Sequence, residues 1–276
     1  MTPSILDLPA PPTSARISYG PGEEHFADLR LPPGTGPFPV VIGIHGGYWR
    51  ARYGLDHFGH LCAALTSAGG IATWNIEYRR LGDDGGGWPG TFADVARAAD
   101  ALRTVAATYP LDLARVFVVG HSAGGQLALW LAGRHRISAS SPLHSPHPLP
   151  LAGAVSLAGV TDLRLGYELR LSDSVISELL GGSPGSYPER YAAVSPLDLL
   201  PLGARQLLIT GDADTNVPPA LTQRYYDAAR AGGDPVELLV LPGTGHFEII
   251  DPRSREWPRV AAAILSLTSA NRDACD

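Results

Sequence analysis

Gly120-His121-Ser122-Ala123-Gly124 sets one small hydroxyl in a glycine-flanked turn, directly after VFVV and directly before GQLALWLAG. The pattern is G-x-S-x-G at a strand-to-helix junction, where a serine is held up on a tight elbow at the positive end of the following helix. Read without chemistry, the glycines only let strand and helix approach closely. Read with chemistry, Ser122 is a nucleophile. A serine hydroxyl is weak at neutral pH and needs an imidazole to take its proton, a third group to orient that imidazole, and donors aimed at the oxyanion formed on attack.

The rest of the chain offers each of these on a loop after an apolar run. HGGYW (45–49) follows VVIGI, and backbone N–H groups around Gly46, Gly47 and Tyr48 can join that of Ala123 as an oxyanion hole. His45 reads as a brace for this loop. GDADTNVP (211–218) follows QLLIT and carries Asp212 and Asp214; the offset beyond the strand favours Asp214, and capping of the next helix is the bland alternative. GTGHFEII (243–250) follows VELLVLP and places His246 in a glycine-rich loop late in the chain. The order Ser122, Asp214, His246 is the order of one particular triad fold, and it differs from the orders in the others. Tyr48, Trp49 and His121 are candidates for the substrate pocket. Trp88 is a fourth, equally explained as packing within a loop. His57 with His60, and His144 with His147, lack a third metal ligand and read as a helix face and a solvated loop.

These residues need a scaffold that ends several strands at one edge. HFADLRL (25–31), PVVIGIH (39–45), IATWNIEY (71–78), RVFVVG (115–120), AGAVSLAG (152–159), RQLLITG (205–211) and VELLVLPG (236–243) read as strands, mostly apolar on both faces. Amphipathic segments alternate with them. LDHFGHLCAALTSAGG ends on glycines suited to a helix C-cap, and TFADVARAADALRTVAATYP has Thr91 as a cap, Asp94 in its first turn and Pro110 as a stop. PPALTQRYYDAARAGG and WPRVAAAILSLTSA complete the helices. Such alternation predicts an α/β domain built on a mostly parallel sheet. Residues 1–13 are proline-rich and read as a loose arm, 14–276 as a single domain, 138–150 as a polar loop and 162–201 as a candidate lid.

Bulk properties fit a globular chain able to build a sizeable buried core. The chain has 276 residues, 45% of them hydrophobic and 17% charged, with a formal charge of −6 that gives no footprint for nucleic acid. Cys62 and Cys275 are too few for a disulfide framework; the first lies in an apolar helical stretch and the second in a polar tail. No stretch reaches the roughly 18 apolar residues of a membrane span, and the N-terminus lacks the pattern of a secretory signal. A cytoplasmic protein with no membrane partner is the resulting expectation, and a homodimer is compatible with it.

HGGYW, GHSAGG, AGVTDL, GDADTNVP and GHFEII resemble the α/β-hydrolase superfamily, in its kynurenine formamidase and esterase/lipase-like branch. The resemblance covers nearly the whole chain beyond the arm. It implies a mostly parallel eight-stranded sheet, Ser122 as nucleophile, Asp214 as orienting acid, His246 as base, and neither cofactor nor metal. EYRRLGDDGGGWPGTFADV (77–95) departs from kynurenine formamidases and looks closer to bacterial α/β-hydrolases of loosely assigned activity. The implied partner is a small ester or aryl formamide, cleaved through an acyl-enzyme. Two alternatives are a small exopeptidase of the prolyl-oligopeptidase type, for which the chain lacks room for a screening domain, and a non-catalytic binding protein on the same scaffold.

Overall fold

The computed structural model describes residues 3–269. Eight strands form one sheet: β1 (Ala15–Ser18), β2 (Phe26–Arg30), β3 (Phe38–Ile44), β4 (Ala72–Ile76), β5 (Leu111–His121), β6 (Gly153–Leu157), β7 (Arg205–Gly211) and β8 (Val236–Leu241), in the spatial order β1-β2-β4-β3-β5-β6-β7-β8. The pairs β1/β2 and β2/β4 are antiparallel and every other pair is parallel. The helices are α1 (Asp56–Gly69), α2 (Gly90–Asp100), α3 (Leu102–Val105), α4 (Ala123–Ala132), α5 (Leu163–Glu168), α6 (Leu171–Leu180), α7 (Pro188–Val194), α8 (Pro219–Ala231) and α9 (Trp257–Ser269). This is an α/β-hydrolase fold.

Side chains alternate across each strand, so the apolar runs feed two separate cores. Val40, Ile42 and Ile44 of β3 and Val116 and Val118 of β5 pack with Phe92, Leu127 and Tyr225 on one face. Val41, Phe117 and Val119 join Phe58, Leu61, Val260 and Ile264 on the other. The register of β3 on β5 shifts between Pro39 and Val40, where proline has no N–H to continue the ladder. The parallel strands all end on the same side, which brings the loops after β3, β5, β7 and β8 together.

Several local expectations give way to tertiary contacts. Strand β1 was not anticipated: its four residues carry Arg16, whose guanidinium binds Asp28 at 2.8 Å across the strand pair. Helix α2 begins at Gly90 with Pro89 at its cap, so Thr91 is inside the helix and Asp94 beyond the first turn. The Thr91 hydroxyl donates to Arg79 O, and Asp94 binds Arg79 Nε at 2.7 Å and His25 Nε2 at 2.9 Å. Segment 138–150 is anchored by buried Leu143 and Leu149, with Leu149 N donating to Asp100 at 2.8 Å. Cys62 is buried, and burial pushes its thiol up to about 12; Cys275 lies outside the described residues.

The proline-rich start of the chain is not a loose arm over its described part. Ile5 is 2% exposed within the second core. Arg30 donates to the carbonyls of Pro11 and Pro12, Thr13 Oγ1 to Leu29 O, and Arg253 Nη2 to Pro3 O at 3.0 Å. Proline keeps its carbonyl as an acceptor, and Pro3, Pro11 and Pro12 lie outside helices and strands, so arginine side chains from the domain satisfy these carbonyls.

Candidate active site

Ser122 sits between β5 and α4 with φ 57° and ψ −119°, a backbone conformation that costs a non-glycine residue about 1–3 kcal/mol. Neighbouring glycines make the elbow sterically feasible. A Cβ on Gly120 would come within 2.0 Å of Gly124 O, and one on Gly124 within 2.1 Å of Ile44 O. The elbow is therefore wedged against the end of β3. Ser122 N donates to Leu157 O at 2.8 Å, which ties the strained residue to β6.

The loop after β3 is held from behind. His45 Nδ1 donates to Gly46 O at 2.8 Å, its Nε2 meets Glu77 Oε1 at 2.8 Å, and Tyr78 Oη donates to His45 O at 2.9 Å. Glu77 also accepts from Leu55 N and pairs with Arg80 Nη1 at 3.0 Å. Burial works against the Glu77 carboxylate, but His45 and Arg80 hold its pKa below the usual range. In a trans peptide the C=O and the next N–H point opposite ways. Pinning Gly46 O toward His45 thus turns the Gly47 N–H away from it. Gly47, Tyr48 and Trp49 follow with φ of 117°, 52° and 54°. That reversal separates two neighbouring aromatic rings. Tyr48 faces the site and donates to Asn216 O at 2.8 Å, with burial, then Asp214, raising its pKa to about 12.

Trp49 turns inward. It is 1% exposed, and its Nε1 donates to Gln126 Oε1 at 3.2 Å. It braces α4 instead of lining a pocket. Trp88 is also elsewhere: it lines a separate cleft of about 470 Å³ with Arg136, Ser138 and Glu189, and packs on Phe92. Neither indole lines the cavity that holds Ser122 and His246.

Of the two carboxylates after β7, Asp214 is the one that meets histidine. Its Oδ2 lies 2.7 Å from His246 Nδ1, and its Oδ1 accepts from Asn216 N at 2.8 Å and Val217 N at 3.0 Å. Asp214 and His246 are 7% and 5% exposed. Asp212 instead accepts from Gly243 N at 2.6 Å and ties the loop after β7 to the one after β8. His121 is buried, and its Nε2 donates to His246 O at 3.0 Å, which fixes the backbone of the histidine loop. Burial, reinforced by His246 and His57, drives the His121 pKa well below the ordinary histidine value.

Ser122, His246, His121, Gly47 and Tyr48 open onto one cavity of about 170 Å³. No hydrogen bond joins Ser122 to the His246 ring among the described residues; such bonds commonly tighten only when substrate is bound. Leu6, Tyr53, His57, Asn216 and Phe247 complete the wall and were not foreseen. None carries a motif, and Leu6 lies 240 positions from His246 in the chain. No residue of 162–201 lines the cavity. That segment packs behind the loop after β3, where Arg50 binds Glu178 at 3.0 Å. No group of three or more His, Cys, Asp or Glu among the described residues is placed to hold a metal ion, and no helix among them is long and apolar enough to cross a membrane.

The profile of the BD-FAE family matches residues 27–228, more than half of the chain and the stretch from β2 to α8 that carries the elbow and Asp214. The chain belongs to the BD-FAE family. Related proteins include the probable isoprenylcysteine alpha-carbonyl methylesterase ICMEL1 of Oryza sativa subsp. japonica, 26% identical over 84% of this chain and 56% of its own length. A kynurenine formamidase of Danio rerio is 24% identical over 91% of this chain and 77% of its own. The propionate-bound esterase 2 of Thermogutta terrifontis superposes with a TM-score of 0.76 at 20% identity, covering 95% of both chains; the same esterase is known phosphoramylated by tabun. The BD-FAE chain thus spans little more than half of the methylesterase it resembles, and the likeness to the Thermogutta protein is one of fold.

Proposed function

We propose that this BD-FAE chain is a serine carboxylesterase for small esters with short acyl or alcohol groups. One observation carries the reading: a buried His246–Asp214 pair at 2.7 Å opens onto the same cavity as the strained Ser122 elbow. With Nδ1 donating to Asp214, the His246 ring keeps a lone pair on Nε2 for the serine proton. Ser122 Oγ attacks the ester carbonyl carbon as its proton passes to Nε2. The carbonyl oxygen becomes an oxyanion in front of the N–H groups of Gly47, Tyr48 and Ala123. Ala123 opens α4, where backbone N–H groups lack partners within the helix. Collapse breaks the C–O bond to the alcohol, which leaves with the proton from His246. Water then repeats the sequence on the acyl-enzyme and releases the acid.

Cavity size argues for short substrates. About 170 Å³ is well below the roughly 300–1,000 Å³ of pockets that take drug-sized ligands. The zebrafish formamidase, matched over most of its length, keeps aryl formamides as a second substrate class. Comparing kcat/KM on p-nitrophenyl acetate, butyrate and octanoate with that on N-formylkynurenine tests the assignment. The esterase reading expects acetate or butyrate to lead; a dominant formamide would move the protein to the second class, and turnover of neither would refute both.

A further inference from the structure

From the proposed esterase site we infer that the N-terminal strap, through Leu6, forms one wall of the substrate cavity and limits the length of the substrate group it accepts. Leu6 shares the cavity with Ser122 and His246, although it lies in a 3-10 turn (Ile5–Asp7) far from either in sequence. The turn is seated on the domain. Ser4 accepts from Leu6 N at 3.3 Å, and Ile5 is buried in the second core with Phe58, Leu61 and Leu65 of α1.

Anchors on both sides prevent the strap from swinging away freely. Upstream, Pro3 O is held by Arg253, whose Nη2 also binds Asp251 Oδ2 at 2.7 Å in the segment following the His246 loop. Downstream, Pro11 and Pro12 carbonyls are held by Arg30, and a Cβ on Gly59 would touch Pro11 Cδ at 3.1 Å. The wall is thus tied to the segment that directly follows the His246 loop. Leu6 is only partly buried, because its outer face looks into the cavity while Ile5 beside it faces the core. A branched apolar side chain at this position fits an alkyl or aryl group and sets its reach. Segment 162–201, by contrast, contributes nothing to the lining.

The test is the chain-length profile of Leu6→Ala and Leu6→Trp on p-nitrophenyl esters from acetate to decanoate, and on acetates of alcohols of increasing length. Leu6→Ala should raise kcat/KM for long relative to short substrates by about tenfold or more, and Leu6→Trp should shift the ratio the other way. The series that responds shows whether acyl or alcohol group meets the strap. Leu8→Ala, in the same strap but outside the cavity lining, controls for loosening: it should lower Tm and leave the profile unchanged. Wild-type turnover with identical profiles in both folded Leu6 variants overturns the wall alone. Wild-type protein that neither turns over esters nor reacts with a fluorophosphonate overturns the esterase reading beneath it.

Discussion

Asp214 Oδ2 lies 2.7 Å from His246 Nδ1, and the other oxygen of the same carboxylate is occupied by the N–H groups of Asn216 and Val217. The acid is therefore fixed by its own loop before it fixes the histidine. Asp214→Asn keeps the shape but removes the acceptor that selects the imidazole tautomer, so kcat should fall about 10³- to 10⁴-fold. Asp212→Asn, which alters only a tie to Gly243 N, should stay within about tenfold of wild type. Steady-state kinetics of the two variants separates them.

Gly47 has φ 117°, and a Cβ there would lie 2.4 Å from Tyr53 Cβ. Gly47→Ala should displace the loop and its N–H groups while leaving Ser122 and His246 in place. The expected cost is about 10²- to 10³-fold in kcat, the usual price of one misplaced oxyanion donor, with KM little changed. A kcat within threefold of wild type would contradict the role given to this loop.

Glu77 connects His45, Arg80 and Leu55 N behind that loop. Glu77→Gln leaves two buried cationic or polar partners uncompensated, which should destabilise the fold by about 3 kcal/mol. It should also lower kcat, since His45, whose Nδ1 holds Gly46 O, loses the carboxylate that orients its ring. Urea unfolding and turnover measured on the same preparation would show both effects together.

What was legible in the sequence follows from what each residue can do locally. Apolar runs ended by glycine-rich turns revealed strands β2 to β8, and the positions of Ser122, Asp214 and His246 after three of those strands were readable from spacing. The direction of a side chain within a turn was not. Tyr48 and Trp49 are adjacent aromatics with nearly equal φ, yet one faces the cavity and the other is buried against Gln126. Leu6, His57 and Phe247 entered the site through tertiary packing that no periodicity encodes. Thr91 looked like a cap because its type suits one, but the Arg79 carbonyl claimed its hydroxyl.

His57 gives a pH signature. Burial, then its neighbour His45, lowers its pKa from 6.5 to about 3. Between those values the unfolded chain binds a proton that the folded chain refuses, so stability rises with pH across the window and is lost on acidification. His57→Gln should remove about 1.4 kcal/mol per pH unit from that slope. Urea unfolding of wild type and variant at pH 4.5 and 5.5 checks it, and equal slopes would show that His57 titrates normally.

The most direct measurement is the intact mass of the protein after exposure to a small fluorophosphonate, followed by peptide mapping. Wild type should gain a single adduct on Ser122, His246→Ala should gain it far more slowly, and Ser122→Ala should gain none. Undiminished labelling of folded Ser122→Ala, or an adduct mapped to another residue, would contradict the account.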